Sequence, residues 1–358
     1  MLNQGGAYVI AYSDDGSVLI QHGGVESGQG LATKMAQIAA ETLDIPLELV
    51  RVTATDTYAI SDASPTAAST GSDLNGGAVQ QACAQLRQRL EKFCEDLEQY
   101  TVYFAQFDPT KMDQDQVLMI EAVTRNWRTR WPEVWPTICA LAYVNRIDLT
   151  AEARYATPHY SAVDLAHPFG QPFFYYTYAV AASEVEIDVL TGEHTILRSD
   201  ILFDVGRSLN PLLDVGQIEG GFVQGIGYLT LEELLMATDS EAPRPGIPAG
   251  AITSYGTWDY KPPGSKSIPL DLRVKIVDHP DSEHRLKGPR LKSAAVKRSK
   301  GIGEPPLVLG NTVFFAIRAA IAAYRRESGD HEFFRFDAPA TIARIQQACR
   351  VQRDDLRI

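Results

Sequence analysis

Clusters of metal-ligating side chains are missing from this sequence. The four cysteines are scattered without a C-x-x-C spacing, and the seven histidines include no H-x-x-x-H pair. Protein-ligated zinc usually depends on such spacings. We therefore expect reduced thiols, and we expect any metal to be held by something other than the side chains of the chain.

Positive charge and long apolar runs are also scarce. The chain carries 33 Lys and Arg against 45 Asp and Glu, a formal net charge of −12. A general nucleic-acid binder would carry a basic face, and this charge balance argues against one. No apolar run approaches the roughly 18 residues of a membrane span, and the first residues lack the pattern of a secretory signal. We expect no nucleic-acid or membrane partner and a cytoplasmic location, with the peroxisome as the alternative.

The chain is long and apolar enough for two packed subdomains. It has 358 residues, 45% of them hydrophobic, which predicts a sizeable core and an approximate division into 1–150 and 151–358. Strand and helix patterns interleave, so the fold class is a mixture of α+β and α/β. The first strand begins only a few residues after Met1. We therefore expect the chain to be a fragment or a subunit of something larger.

Local patterns predict particular elements. Alternating apolar residues on both sides of Asp14-Asp15-Gly16 predict a hairpin, and apolar residues at helical spacing follow Gly30. Asp73 is expected to cap a long helix, and Asn210-Pro211 to open another that is rich in glycine. Residues 237–300 are expected to be mainly loop.

Three junctions of small-residue loops with helices could bind an anion. They are Gly28-Gln29-Gly30, Ser64–Ser72 and Asn210–Gln217. A helix N-terminus offers unpaired N–H groups and partial positive charge, although each such turn taken singly is most often only a turn. A dinucleotide-binding motif is excluded at the first junction, because Thr33 replaces its third glycine and the preceding strand belongs to a hairpin.

Glu304 stands in the short motif G-E-P-P directly before an apolar helix. One interpretation is a helix cap stabilised by the dipole. The other is a general base held rigidly by Pro305-Pro306, with its proton affinity raised by burial.

Four long stretches resemble the molybdopterin hydroxylases, over about 2–349 of the chain. They are HGGVESGQGLATKMAQIAAETL, SPTAASTGSDLNG, ASEVEIDVLTGEHTILRSDILFDVGRSLNPLLDVGQIEGGFVQGIG and GIGEPPLVLGNTVFFAIRAAI. The similarity is greatest to the C-terminal half of the molybdenum domain of xanthine dehydrogenase/oxidase. It implies a molybdenum-cofactor-binding region over 1–358, in an elongated two-subdomain arrangement. The upstream iron–sulfur, FAD and first molybdopterin regions would lie outside this chain.

The resemblance also implies roles for individual residues. Glu304 matches the glutamate that deprotonates a molybdenum-bound hydroxide before it attacks an electron-poor carbon. The cofactor-binding matches are Gln29, Gly30, Thr66, Ala67, Ala68, Ser69 and Gln217, with the Ala68 backbone beside the metal. Gly71 departs from the family, which usually has a serine there, and Thr70 or Ser72 could substitute.

The implied cofactor is molybdenum–molybdopterin, joined in the full enzyme by FAD, two 2Fe–2S clusters and NAD. The implied reaction converts hypoxanthine or xanthine to urate in a homodimer. It would need the missing N-terminal half or a partner subunit, so the chain alone is expected to be inactive. An aldehyde oxidase-like enzyme and a non-catalytic fragment or pseudoenzyme are the alternatives.

Overall fold

The chain folds into two compact units, each of which mixes helices with a sheet. The computed structural model describes residues 4–104, 114–158, 173–238, 248–277 and 295–351. The first unit comprises Met1–Tyr176, Gly206–Asn210 and Pro280–Gly301; the second comprises Thr177–Val205, Pro211–His279 and Ile302–Ile358. The mixed α/β class expected from the sequence is confirmed.

A four-stranded sheet forms one layer of the first unit. Its strands are β1 (Gln4–Ala11), β2 (Val18–His22), β3 (Val50–Val52) and β4 (Thr150–Ala156), in the order β3-β2-β1-β4. The strand β1 pairs antiparallel with β2 and β4, whereas β2 and β3 are parallel. The antiparallel pairing of β1 with β2 confirms the predicted hairpin. Gly16 takes the left-handed conformation in its turn (φ 72°).

Helices α1 (Leu31–Leu43), α2 (Gly71–Phe104), α3 (Gln114–Thr124) and α4 (Trp131–Val144) complete the first unit. The apolar face predicted for α1 is confirmed, since Leu31, Met35 and Ile38 are all buried. The predicted capping role of Asp73 is wrong. The helix α2 begins at Gly71, which places Asp73 inside the first turn with its side chain buried.

The described residues of the second unit contain a three-stranded sheet and four helices. The strands β5 (Ala179–Ile187), β6 (His194–Phe203) and β7 (Asp271–Ile276) lie in the order β5-β6-β7. The helices are α5 (Pro211–Thr230), α6 (Pro305–Leu309), α7 (Asn311–Glu327) and α8 (Ile342–Cys349). The sequence analysis missed β7, which pairs parallel with β6 from a region expected to be loop. The predicted opening of α5 at Pro211 is confirmed.

The sequence analysis expected no apolar run as long as a membrane span, but the stretch Pro305–Glu327 is one by length and composition. Its 23 residues are long and apolar enough to cross a membrane by length and composition, which is weak support by itself. The stretch is two helices, α6 and α7, and Val313, Ile317 and Ile321 of α7 are buried in the core of the second unit. Core helices of water-soluble proteins show the same composition.

Candidate functional site

The loop between β2 and α1, residues 23–30, is held together by its own side chains. The Gln29 amide donates a hydrogen bond to the Val25 carbonyl (2.8 Å), and its oxygen accepts one from the Ser27 N–H (2.6 Å). At the start of the loop, Nδ1 of His22 accepts a hydrogen bond from the Gly24 N–H (3.1 Å). Burial lowers the pKa of His22 to about 4, so the imidazole is neutral at pH 7 and Nδ1 remains an acceptor.

The N-terminus of α1 carries an anion of its own. The Glu26 carboxylate accepts hydrogen bonds from the N–H groups of Gly28 (2.9 Å), Gly30 (3.0 Å) and Ala32 (2.9 Å). Partial burial acts to raise the pKa of Glu26, but these backbone hydrogen bonds outweigh it and the pKa is lowered. The expectation that this turn offers open N–H groups to an external anion is therefore wrong while Glu26 occupies them.

The second small-residue loop, residues 64–70, lies against the first. The Val25 N–H donates a hydrogen bond to Oγ1 of Thr66 (2.8 Å). Ala68 and Ser69 both take the left-handed conformation, with φ of 54° and 56°, at a cost of roughly 1–2 kcal/mol each. Strained backbone of this kind concentrates at ligand-binding sites. The first unit thus brings the loop that carries Gln29 and Gly30 against the loop that carries 66–69.

A buried acid and a tyrosine that the sequence analysis did not single out lie behind this loop. The Tyr175 hydroxyl donates to Oδ2 of Asp73 (2.5 Å) and accepts from the Gly301 N–H (2.7 Å). Burial raises the pKa of Asp73 to about 6, although the hydrogen bond from Tyr175 acts to lower it. Tyr175 stood in an aromatic stretch without a motif, so no sequence signal marked it.

In the second unit, Glu304 stands immediately before α6. Glu304 occupies the N-cap position, but its side chain makes no capping hydrogen bond to α6, so the interpretation as a helix cap stays a prediction that rests on the helix dipole alone. Pro305 and Pro306 form the first turn of α6, as the hypothesis of a rigidly held acid requires. The side chain of Glu304 is exposed in this chain, which differs from the buried carboxylate that was expected.

The helix α5 packs its glycines against the backbone around Glu304. A Cβ on Gly221 would lie 3.1 Å from the Gly303 carbonyl oxygen, and one on Gly225 would lie 2.2 Å from that of Leu307. Gln217 lies one turn before Gly221, on the same side of the helix, and is half-buried. The sequence predicted a small-residue loop within Asn210–Gln217. This prediction is wrong, because α5 already includes Gln217.

Within the described parts of the chain, no group of three or more His, Cys, Asp or Glu side chains could hold a metal ion. The polar groups of the two loops are instead backbone groups, amides and hydroxyls, several of which already bond to one another. Gly28 has a φ of 104° and no atom within 4 Å of the position that a Cβ would take. The side chains of Thr66, Ala67 and Ala68 are exposed. Small exposed residues with strained backbone fit an organic cofactor that brings its own metal ligands.

Comparison with known proteins decides which cofactor this is. Residues 1–269 match the family model described as the molybdopterin cofactor-binding domain. The chain belongs to this family. It is 40% identical to the xanthine dehydrogenase of Dictyostelium discoideum over 352 residues, and 42% identical to that of Drosophila pseudoobscura pseudoobscura over 349. It is also 40% identical over 356 residues to the xanthine dehydrogenase/oxidase of Mus musculus.

These matches span nearly all of this chain but a small part of each relative. They cover 97–98% of the chain and 22% of the length of each of those three proteins. The sequence-based assignment to molybdenum hydroxylases of the xanthine dehydrogenase type is confirmed at the level of the family.

Solved structures of the molybdopterin family share the fold. Quinoline 2-oxidoreductase from Pseudomonas putida 86 matches with a TM-score of 0.69 at 21% identity, over 97% of this chain and 38% of that one. Aldehyde oxidoreductase from Desulfovibrio gigas matches with a TM-score of 0.66 at 20% identity, over 98% and 31%. At such identities the likeness concerns the fold alone.

Proposed function

We propose that this chain supplies part of the molybdopterin site and the general base of a xanthine dehydrogenase-like hydroxylase. The reaction is the oxidation of hypoxanthine and xanthine to urate. The observation that carries the proposal is the 40–42% identity to xanthine dehydrogenases over 97–98% of the chain. Because the chain spans 22% of those relatives, the site is completed by polypeptide outside it, and the chain alone is inactive.

The cofactor is held by the residues of the two loops and of α5. In this proposal Gln29, Gly30, the segment 66–69 and Gln217 would contact the cofactor. Ala68, which has no bulky side chain, would leave its backbone accessible to the metal. When bound, molybdenum–molybdopterin supplies the two-electron acceptor for the oxidation.

The role of Glu304 is to take a proton from the attacking oxygen nucleophile. Its carboxylate is exposed and makes no capping bond. Its backbone is held by the two prolines of α6 and by the contact of Gly303 with Gly221. A base held in one orientation is effective because little rearrangement precedes proton transfer.

The complete enzyme in this proposal is a cytoplasmic homodimer. It passes electrons through two 2Fe–2S clusters and FAD to NAD, all of which are held by polypeptide outside this chain. The basis is the resemblance to xanthine dehydrogenases, and nucleic acid and membrane are not among its partners.

The test uses the full-length protein that contains this chain, loaded with its cofactors. Glu304→Gln keeps the shape of the side chain and removes the base, so kcat for xanthine should fall by about 10²–10⁴. Glu327→Gln, at the exposed end of α7, is the matched control and should leave kcat unchanged. Wild-type activity in Glu304→Gln at full molybdenum occupancy would remove Glu304 from the mechanism.

A substrate screen separates the alternatives. Wild-type protein that oxidises an aromatic aldehyde but neither purine is an aldehyde oxidase-like enzyme. A fully loaded protein that oxidises neither class is non-catalytic. The isolated chain should bind almost no molybdenum, as measured by elemental analysis.

A further inference from the structure

A partly buried hydrogen-bonded chain of three residues joins parts of the first unit that are far apart in sequence. Asp73 belongs to the first turn of α2, Tyr175 lies 102 residues later, and Gly301 lies 126 residues beyond Tyr175. The Tyr175 hydroxyl donates its one proton to Asp73 and accepts a hydrogen bond from the Gly301 N–H. Asp73 is 8% exposed, so its acceptor oxygen would be costly to leave without this partner.

This chain of hydrogen bonds lies directly beside the loop 64–70. A Cβ added to Gly301 would lie 2.9 Å from the Ser69 carbonyl oxygen and 3.2 Å from the Tyr175 hydroxyl. Ser69 is one of the two residues held in the left-handed conformation. The backbone of Gly301 therefore packs on the strained end of the candidate cofactor loop, and a residue larger than glycine would displace it.

The segment that ends at Gly301 is anchored along its length. The Arg207 N–H donates to the Arg298 carbonyl (2.9 Å), and Gly206 and Ser299 form an antiparallel bridge. Val296 is buried in the first core. Gly301 is the last residue of this segment in the first unit and precedes Glu304 by three residues in the chain.

We propose that Tyr175 is a positioning residue. Asp73 orients its hydroxyl, and the hydroxyl in turn fixes the backbone of Gly301, three residues before Glu304. This inference rests on the proposed role of Glu304 as the base. The hydrogen bond to the Tyr175 hydroxyl fixes the direction of the Gly301 N–H. It also keeps the backbone of Gly301 packed against the Ser69 carbonyl. Tyr175 thus links the cofactor loop to the segment of the first unit that ends at Gly301.

The first test compares Tyr175→Phe with Tyr176→Phe. The first variant keeps the ring and removes only the hydroxyl, whereas Tyr176 has an exposed side chain and serves as the control. On the isolated chain, hydrogen exchange of the Gly301 amide should accelerate about 10-fold in Tyr175→Phe, the equivalent of one lost hydrogen bond. Tyr176→Phe should exchange like the wild type.

In the loaded full-length protein, Tyr175→Phe should lower kcat for xanthine by about 10–100-fold with little change in KM, because misplacement of a base affects the chemical step. Unchanged exchange at Gly301 would overturn the inference. So would accelerated exchange with an unaltered kcat, because Tyr175 would then serve stability alone.

A second pair of variants keeps the inference testable if Tyr175→Phe does not fold. Asp73→Asn retains an oxygen that accepts the Tyr175 hydroxyl, whereas Asp73→Ala removes it. The asparagine variant should keep wild-type exchange at Gly301, and the alanine variant should resemble Tyr175→Phe. Equal exchange in the two variants would contradict the inference. Failure of the proposed function shows separately, as wild-type activity in Glu304→Gln, and leaves the exchange results standing.

Discussion

The glycines of α5 differ sharply in what surrounds them, and this predicts opposite effects of one substitution. A Cβ on Gly225 would stand 2.2 Å from the Leu307 carbonyl oxygen and 2.9 Å from its carbonyl carbon. Ordinary contacts begin near 3.4 Å, so Gly225→Ala must push α6 away by on the order of 1 Å. Such overpacking usually costs about 1–3 kcal/mol, more than the gain of about 1 kcal/mol in helix propensity.

Gly216 and Gly220 are matched controls on the same helix. Neither has an atom within 4 Å of its Cβ position, and both are exposed. Alanine there should raise the free energy of unfolding by about 0.5–1 kcal/mol, because it restricts the unfolded chain without a clash. Urea unfolding of the isolated chain, followed by circular dichroism, measures all three variants. A Gly225→Ala protein as stable as Gly220→Ala would refute the packing of α5 against α6.

The same variant has a consequence for the candidate site around Glu304. Leu307 is three residues after Glu304, and its N–H donates to the Glu304 carbonyl (3.0 Å). A shift of about 1 Å in α6 should lower kcat of the loaded protein by up to about 100-fold. Gly220→Ala should leave the position of α6 unchanged.

Two further predictions concern buried or capping carboxylates. The wild type should lose up to about 3 kcal/mol of stability as pH rises from near 4 to about 6, because Asp73 ionises. Asp73→Asn cannot ionise and should not show this loss. The folded pKa of Asp73 is raised to about 6, so its protonated form favours the native state at low pH; equal pH slopes in the two proteins would contradict this. Glu26→Ala should cost about 1 kcal/mol at pH 7, by analogy with lost helix caps. Because the pKa of Glu26 is lowered, that difference should disappear as pH falls through its folded pKa, and a difference that persists in acid would exclude the ionised carboxylate as its cause.

Much of the fold could be predicted because it depends on neighbours in sequence. The helical spacing of Leu31, Met35 and Ile38, the turn at Gly16 and the proline at the start of α5 are each local, and each was confirmed. The strand β7 alternates polar and apolar residues, but it is only six residues long, and it was missed because it lies in a loop-rich region and its pairing partner, β6, is distant in sequence. The limits of α2 were misjudged because Asp73 is a common capping residue, and only its tertiary contacts show that it is used otherwise.

The candidate site could be predicted only in part. The motif around Glu304 and the small-residue loops were visible as patterns, and the family that they indicated is confirmed. The occupation of the N-terminus of α1 by Glu26 could not be foreseen, because several nearby side chains could reach those N–H groups. The roles of Gln29, Gln217 and the residues 66–69 in binding cofactor stay predictions.

The sequence by itself determined the family, the class of fold and the residues that could act as base and cofactor ligands, since these reside in the order of the side chains. Tertiary structure alone decided which backbone groups are already occupied, which glycines are needed for close packing and where Tyr175 directs its hydroxyl. The physical reason is distance along the chain. Contacts such as those from Tyr175 to Asp73 and Gly301 join residues more than a hundred positions apart, and no local preference specifies them.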